Sequence, residues 1–93
     1  SGKRDKNSVK SKRVVIAGGG DAALENALIL AETASEIKVV HRRKDFRARD
    51  EFFDAAQQNP KIEFLTETIV RKISGNERIE AVEVENLPSG KTY

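Results

Sequence analysis

Apolar and polar positions change rhythm along this chain, and each rhythm predicts an element. Arg13 to Ala17 (RVVIA) is a short, β-branched, nearly all-apolar run, the pattern of a strand covered on both faces as in a parallel sheet. From Asp21 to Ser35 the apolar residues Leu24, Ala27, Leu28 and Ala31 recur at helical spacing, with Glu25 and Glu32 off the stripe. This predicts a helix of about 15 residues, about 22 Å long. Ile37 to Val40 (IKVV) reads as a second strand, and the helix between the two runs is long enough for a right-handed parallel crossover. Asp45 is expected to cap a second helix reaching Gln58, with Phe46, Phe53 and Ala56 near one face, before Asn59-Pro60 stops it. Lys61 to Leu65 (KIEFL) gives a third strand.

Beyond Leu65 the period falls to two. TETIVRKIS, the turn GNE, RIEAVEVEN and the turn PSG read as an antiparallel meander. Ile79, Val82 and Val84 are expected on a buried face and Glu80, Glu83 and Glu85 on a wet one, with a bulge near Ala81. The fold class is therefore α/β: a partial Rossmann-like βαβαβ parallel sheet followed by an antiparallel β-meander. A further strand returning to the parallel sheet is expected after the last turn, so the chain reads as a fragment of a longer protein.

Composition narrows the chemistry. The 93 residues fit one domain with a marginal core. There is no cysteine and only one histidine, which excludes disulfides, thiolate metal sites and a dithiol redox pair within the chain; no metal site and no catalytic residue are expected. No apolar run approaches a membrane span and the N-terminus has no signal-peptide core, so the chain reads as soluble and cytoplasmic, with no membrane partner. Lys3, Arg4, Lys6, Lys10, Lys12 and Arg13 against Asp5 alone make the start strongly basic, while the whole chain carries only +2. Residues 1–12 read as a basic flexible leader, its Ser-Gly opening resembling a cloning or tag remnant, and residues 13–93 as the domain proper. Such leaders are more often solvated than bound, so nucleic acid is not the expected partner.

Gly18, Gly20 and Ala23 spell G-x-G-x-x-A between a predicted strand and a predicted helix. Gly18 allows a turn too tight for a β-carbon, Gly20 lets a pyrophosphate lie against the main chain, and Ala23 keeps helix close to strand. The free N–H groups around Asp21 to Ala23 then face that anion. The plainer reading is a glycine-rich connection with no ligand. A basic island, HRRKDFRAR, favours the ligand. Strands one and two of this architecture end side by side, and Arg42 falls 24 positions after Gly18, near where an acidic residue usually grips the ribose of NAD or FAD. Here His41, Arg42 and Arg43 stand instead, with Arg47 one helical turn on. Guanidinium groups donate bidentately to a 2′-phosphate, so the expected cofactor is NADPH; the alternative is a solvated charge run. Asp21 and Glu25 sit where acids favour a helix start, and a contact of either with the nicotinamide half stays open.

VVIAGGGDAALENAL, VVHRRKDFRA and NPKIEFL resemble the NADPH domain of low-molecular-weight thioredoxin reductases, two-domain flavoenzymes that pass hydride from NADPH to FAD and on to a disulfide. The likeness spans Arg13 to Tyr93. It implies that Gly18, Gly19, Gly20, Asp21, Ala22 and Ala23 line the pyrophosphate and that Arg42, Arg43 and Arg47 hold the 2′-phosphate. His41, with no partnering nucleophile or metal arrangement in the sequence, reads from its place at the strand end as part of the adenosine-phosphate pocket or as strand-end packing. The resemblance further implies a homodimeric parent whose own FAD domain binds the flavin, and thioredoxin as acceptor. The C-x-x-C pair that precedes the first strand in that family is absent: counted back without gaps, Ser1 and Arg4 fall at the cysteine positions and Asp5 at the acid, so either the leader is foreign to the family sequence or the parent lacks the pair. Thioredoxin-reductase-like ferredoxin-NADP reductases share the glycine and H-R-R elements without that pair, which makes ferredoxin the alternative acceptor. A reading of another class is a non-enzymatic interaction module whose basic tail meets an acidic partner.

Overall fold

The computed structural model describes residues 10–46, 48–75, 79 and 81–93. Seven elements follow in the order β1 (Arg13–Ala17), α1 (Asp21–Leu30), β2 (Glu36–Val40), α2 (Asp50–Gln58), β3 (Ile62–Leu65), β4 (Thr68–Ser74) and β5 (Ala81–Asn86). The first three strands form a parallel sheet in the order β1-β2-β3; β4 and β5 form a separate antiparallel pair. Ala17 stands opposite Val40, and Val40 opposite Leu65, so the three parallel strands end level with one another.

Both helices pack on one face of the parallel sheet. Leu24, Ala27 and Leu30 of α1, with Ala31 and Ala34 just beyond it, close on Ile37 and Val39 of β2, and Ala56 of α2 and Ile62 of β3 complete the cluster. Leu24, Ile37 and Val39 are fully buried. At about 1.5–3 kcal/mol for each large apolar side chain removed from water, this small set supplies much of what holds the sheet and helices together. Phe46, Phe53 and Phe64 extend the cluster toward the strand tips, with ring centroids 4.9–5.6 Å apart.

The second face of the sheet is covered less. Val15, Val40 and Leu65 look across a shallow depression of about 120 Å³ toward Val82, Val84 and Tyr93. Val15 on this face is 38% exposed, so the described residues cover the helical face of β1 more fully than the other. Lys38 lies on this same face, paired with Glu36 on its own strand and with Glu63, its register neighbour on β3. Among the described residues, no helix is long and apolar enough to cross a membrane.

Four local expectations are corrected. First, α1 ends at Leu30 rather than Ser35. The Glu32 and Thr33 N–H groups bond three residues back, tightening the last turn, and the Ser35 N–H is taken by the Lys12 carbonyl where the sheet begins. The Lys61 ammonium donates to the Ala31 carbonyl at 2.9 Å and satisfies part of the exposed helix end. Second, α2 starts at Asp50 with Arg49 as its N-cap, so Asp45 caps nothing. Its carbonyl accepts instead from His41 Nε2, and residues 42–45 form a bend. The Asn59-Pro60 stop is observed, with Asn59 extended at φ −84° and ψ 115°.

Third, the bulge lies on β4, between Val70 and Lys72, whereas Ala81 pairs regularly with Ser74. Fourth, Ile79 is exposed rather than buried; Val84 is buried and Glu83 exposed as the alternation predicts, and Glu85 is drawn in by an ion pair with Arg71. Glu80, most of the GNE turn and residues 1–9 of the leader fall outside the described residues. Ser11 donates to Thr33 at 2.7 Å, so its backbone is already joined to the domain. After the final turn the chain pairs back on β5, with Tyr93 and Val84 exchanging both main-chain bonds.

The position of the core is testable by urea denaturation. Leu24→Ala should lower the unfolding free energy by about 2–5 kcal/mol, and Val15→Ala on the open face by less than about 1 kcal/mol. Equal losses would contradict a core confined to the helical face.

Candidate functional site

The level strand tips bring two chain reversals together. The Gly18 N–H donates to the Val40 carbonyl at 2.9 Å, extending the pairing of β1 and β2 one residue into the glycine turn. Gly18 itself has φ +143°, a conformation that L side chains rarely adopt, and a β-carbon there would stand 3.3 Å from the Ala23 methyl. The tight turn and the close approach of helix to strand therefore meet at one point.

Gly19 is buried for a reason that the sequence does not reveal. A β-carbon on it would lie 2.4–2.7 Å from three atoms of the His41 ring. That ring is held in place: Nε2 donates to the Asp45 carbonyl at 2.8 Å, and the imidazole stacks on Phe46 with centroids 4.7 Å apart. Gly20 differs from both. It is the N-cap of α1 with ordinary extended dihedrals, and nothing lies within 4 Å of where its β-carbon would be. Neither fold strain nor packing requires glycine here.

The β2 tip continues as His41 and Arg42. The His41 N–H donates to Leu65 on β3, while its carbonyl accepts from Thr68 and the Arg43 carbonyl from Glu67. The start of β4 thus runs across the same end of the sheet. An open cleft of about 400 Å³ results, bordered by Gly18 and Gly19 on one side, His41 and Arg42 on the other, and Thr68 to Val70 behind.

The structure unites some of the expected site residues and separates others. Gly18, Gly19, His41 and Arg42 share the cleft. Gly20, Asp21, Ala22 and Ala23 form the adjoining first turn of α1 and its cap. Arg43 is exposed beside the cleft and does not line it, and Arg47 lies outside the described residues. Among the described residues, no group of three or more His, Asp or Glu side chains is placed to hold a metal.

Two contributors are not legible as site residues in the sequence. Thr68 is buried, its hydroxyl donating to the Thr66 carbonyl at 2.8 Å; only the strand reversal that follows β3 makes it part of the wall. Arg49 belongs to the basic island but pairs with Asp21 instead of facing solvent alone. Its main-chain N–H donates to Asp21 Oδ1 at 2.7 Å and its Nε to Oδ2 at 2.9 Å. These bonds, the main-chain one foremost, hold the Asp21 carboxyl below the ordinary aspartate value, and the pairing raises Arg49 in turn.

A level three-stranded parallel sheet, two helices on one face and a glycine turn leading into the first of them define a Rossmann-type fold. The chain belongs to the pyridine nucleotide-disulphide oxidoreductase family, whose description matches residues 13–90. It is 42% identical over 78 residues to thioredoxin reductase of Chlamydia pneumoniae, covering 84% of this chain and 25% of that enzyme. It is 40% identical over 79 residues to a ferredoxin--NADP reductase of Flavobacterium johnsoniae, covering 82% of this chain and 23% of that one. The solved thioredoxin reductase of Streptococcus pyogenes superposes with a TM-score of 0.90 at 33% identity, over 96% of this chain and 29% of its own. The chain spans about a quarter of the length of the curated relatives it matches.

Gly19 and Gly20 should respond differently to alanine. Gly19→Ala must displace the His41 ring and is expected to cost about 1–3 kcal/mol, whereas Gly20→Ala should cost less than about 1 kcal/mol, the poorer N-cap being offset by the lower unfolded-chain entropy of alanine at an ordinary extended conformation. Thermal denaturation of the two variants checks this. The Asp21 carboxyl should titrate below the ordinary aspartate range by carbon-detected NMR. Arg49→Ala should raise its midpoint only partly, because the main-chain donor remains. Since the folded-state value is depressed, the stability from this contact is fully present above the ordinary aspartate value and is lost as pH falls through the lower folded-state one.

Proposed function

We infer that this chain is the NADPH-binding part of a flavin-dependent reductase that delivers electrons to a protein disulfide of the thioredoxin type. The observation that carries this reading is the shared cleft, in which a glycine turn opening a helix and the Arg42 end of β2 border the same space. The residues suit the cofactor. Gly20 keeps open the volume that a β-carbon would fill, beside main-chain N–H groups at a positive helix pole. A pyrophosphate is the group that such a position accommodates.

In this reading the N–H groups of Asp21, Ala22 and Ala23 face the pyrophosphate, with Gly18 and Gly19 shaping the turn beneath it. Arg42 and Arg43 donate to the 2′-phosphate, Arg47 is assigned to the same phosphate, and His41 braces the loop that carries them. NADPH, when bound, supplies a hydride for FAD held by the parent protein's own flavin domain. This chain's part is to bind and orient the nucleotide, and on its own it is expected to bind without turnover. The parent is expected to be a homodimer.

Ferredoxin is the second reading of the acceptor, favoured by the lack of cysteine in the sequence and by matches to ferredoxin--NADP reductases at 32–40% identity. Both acceptors leave the assignment of the cleft unchanged.

Calorimetric titration with NADPH and NADH tests the assignment. NADPH should bind more tightly, and Arg42→Ala or Arg43→Ala should each weaken NADPH by about ten- to a hundredfold while sparing NADH. Gly20→Ala should weaken both nucleotides while the chain stays folded. Equal affinity of the unaltered chain for the two nucleotides would refute the 2′-phosphate reading.

A further inference from the structure

Asp21 poses a difficulty for any anion at the start of α1, because a carboxylate in the first turn competes for the same positive pole. Its oxygens are nevertheless both engaged, by the main-chain N–H and the Nε of Arg49, 28 positions further along the chain. Arg49 is the N-cap of α2 and ends the irregular loop that leaves the tip of β2. That loop carries Arg42, Arg43 and Lys44, all exposed. At its near end His41 packs over Gly19, bonds to Leu65 and holds the Asp45 carbonyl. At its far end the Asp21 contact ties it to α1. The Arg49 guanidinium is steadied further by the Phe52 ring, 5.1 Å away, and by Glu51 at 3.6 Å.

We propose that Asp21 is a positioning residue for nucleotide selectivity: it binds the far end of the basic loop to the start of α1, so that pyrophosphate and 2′-phosphate donors are spaced for one ligand before that ligand arrives. The proposal rests on the NADPH reading of the cleft. It gives Asp21 no contact with the nucleotide's nicotinamide half, since its carboxylate is turned to Arg49, and the paired guanidinium offsets the negative charge beside the helix pole. Preorganisation of this kind raises affinity by removing the ordering cost of the loop. The gain falls on the ligand that uses both ends of the site, NADPH, and not on NADH, which lacks the 2′-phosphate.

The test uses the full chain with Asp21→Ala and Asp21→Asn, titrated calorimetrically with NADPH and NADH, and amide exchange at Arg49 measured without nucleotide. Asp21→Ala should lower the NADPH-over-NADH affinity ratio by about threefold or more, in keeping with an exposed ion pair that acts through loop order. NADH affinity should change by less than NADPH affinity, and Arg49 exchange should quicken. Asp21→Asn, whose side-chain oxygen still accepts the Arg49 N–H, should keep most of the ratio and of the protection. An unchanged ratio in Asp21→Ala overturns the proposal, as do equal losses for both nucleotides or unaltered Arg49 exchange. A starting protein without NADPH preference would instead overturn the cleft assignment itself, so the two failures are distinguishable.

Discussion

The Gly18 N–H meets the Val40 carbonyl one residue beyond the last paired position of β1, and this bond joins two segments of opposite chemistry. One is a turn stripped of side chains; the other carries long cationic ones. Their juxtaposition follows from a parallel register in which Arg13 faces Glu36 and Ala17 faces Val40. Because side chains alternate in a strand, a slip of one residue would turn Ile37 and Val39 out of the core and move Arg42 away from the turn together. The burial of two β2 side chains against α1 thus fixes the geometry of a cleft at the end of the same strand.

That register is held by a small core and reinforced at the tips. The phenylalanine cluster links α2 and β3 to the imidazole of His41, while the reversal from β3 into β4 donates main-chain bonds to the carbonyls of His41 and Arg43. The antiparallel pair therefore helps to close the end of the parallel sheet, and Thr68 owes its burial to this junction. The Lys38, Glu36 and Glu63 set lies on the opposite face from the core and places charge on the less covered side.

Strands were easy to read because their chemistry is local. RVVIA and KIEFL carry β-branched or aromatic side chains between turn residues, and the observed limits fall within a residue or so of the expected ones. Helix ends were harder, because tertiary bonds decide them. The periodicity of α1 runs on past Leu30, but Ser35 is claimed by Lys12; Asp45 has the chemistry of a cap, but His41 holds its carbonyl and the helix begins five residues later. In the site, the tasks expected of Gly18 and Ala23 follow from spacing alone and match the observed turn. The role of Gly19 and the pairing of Asp21 with Arg49 depend on contacts between residues 22 and 28 positions apart, for which a single sequence carries no signal.

The lone imidazole and the smallest residue of the chain occupy a single volume. Any side chain at position 19 must be matched by a smaller or differently turned one at position 41, and loss of the ring would leave room for a methyl group in the turn. The two positions are thus coupled in one direction: a β-carbon enters the turn only where the ring gives way.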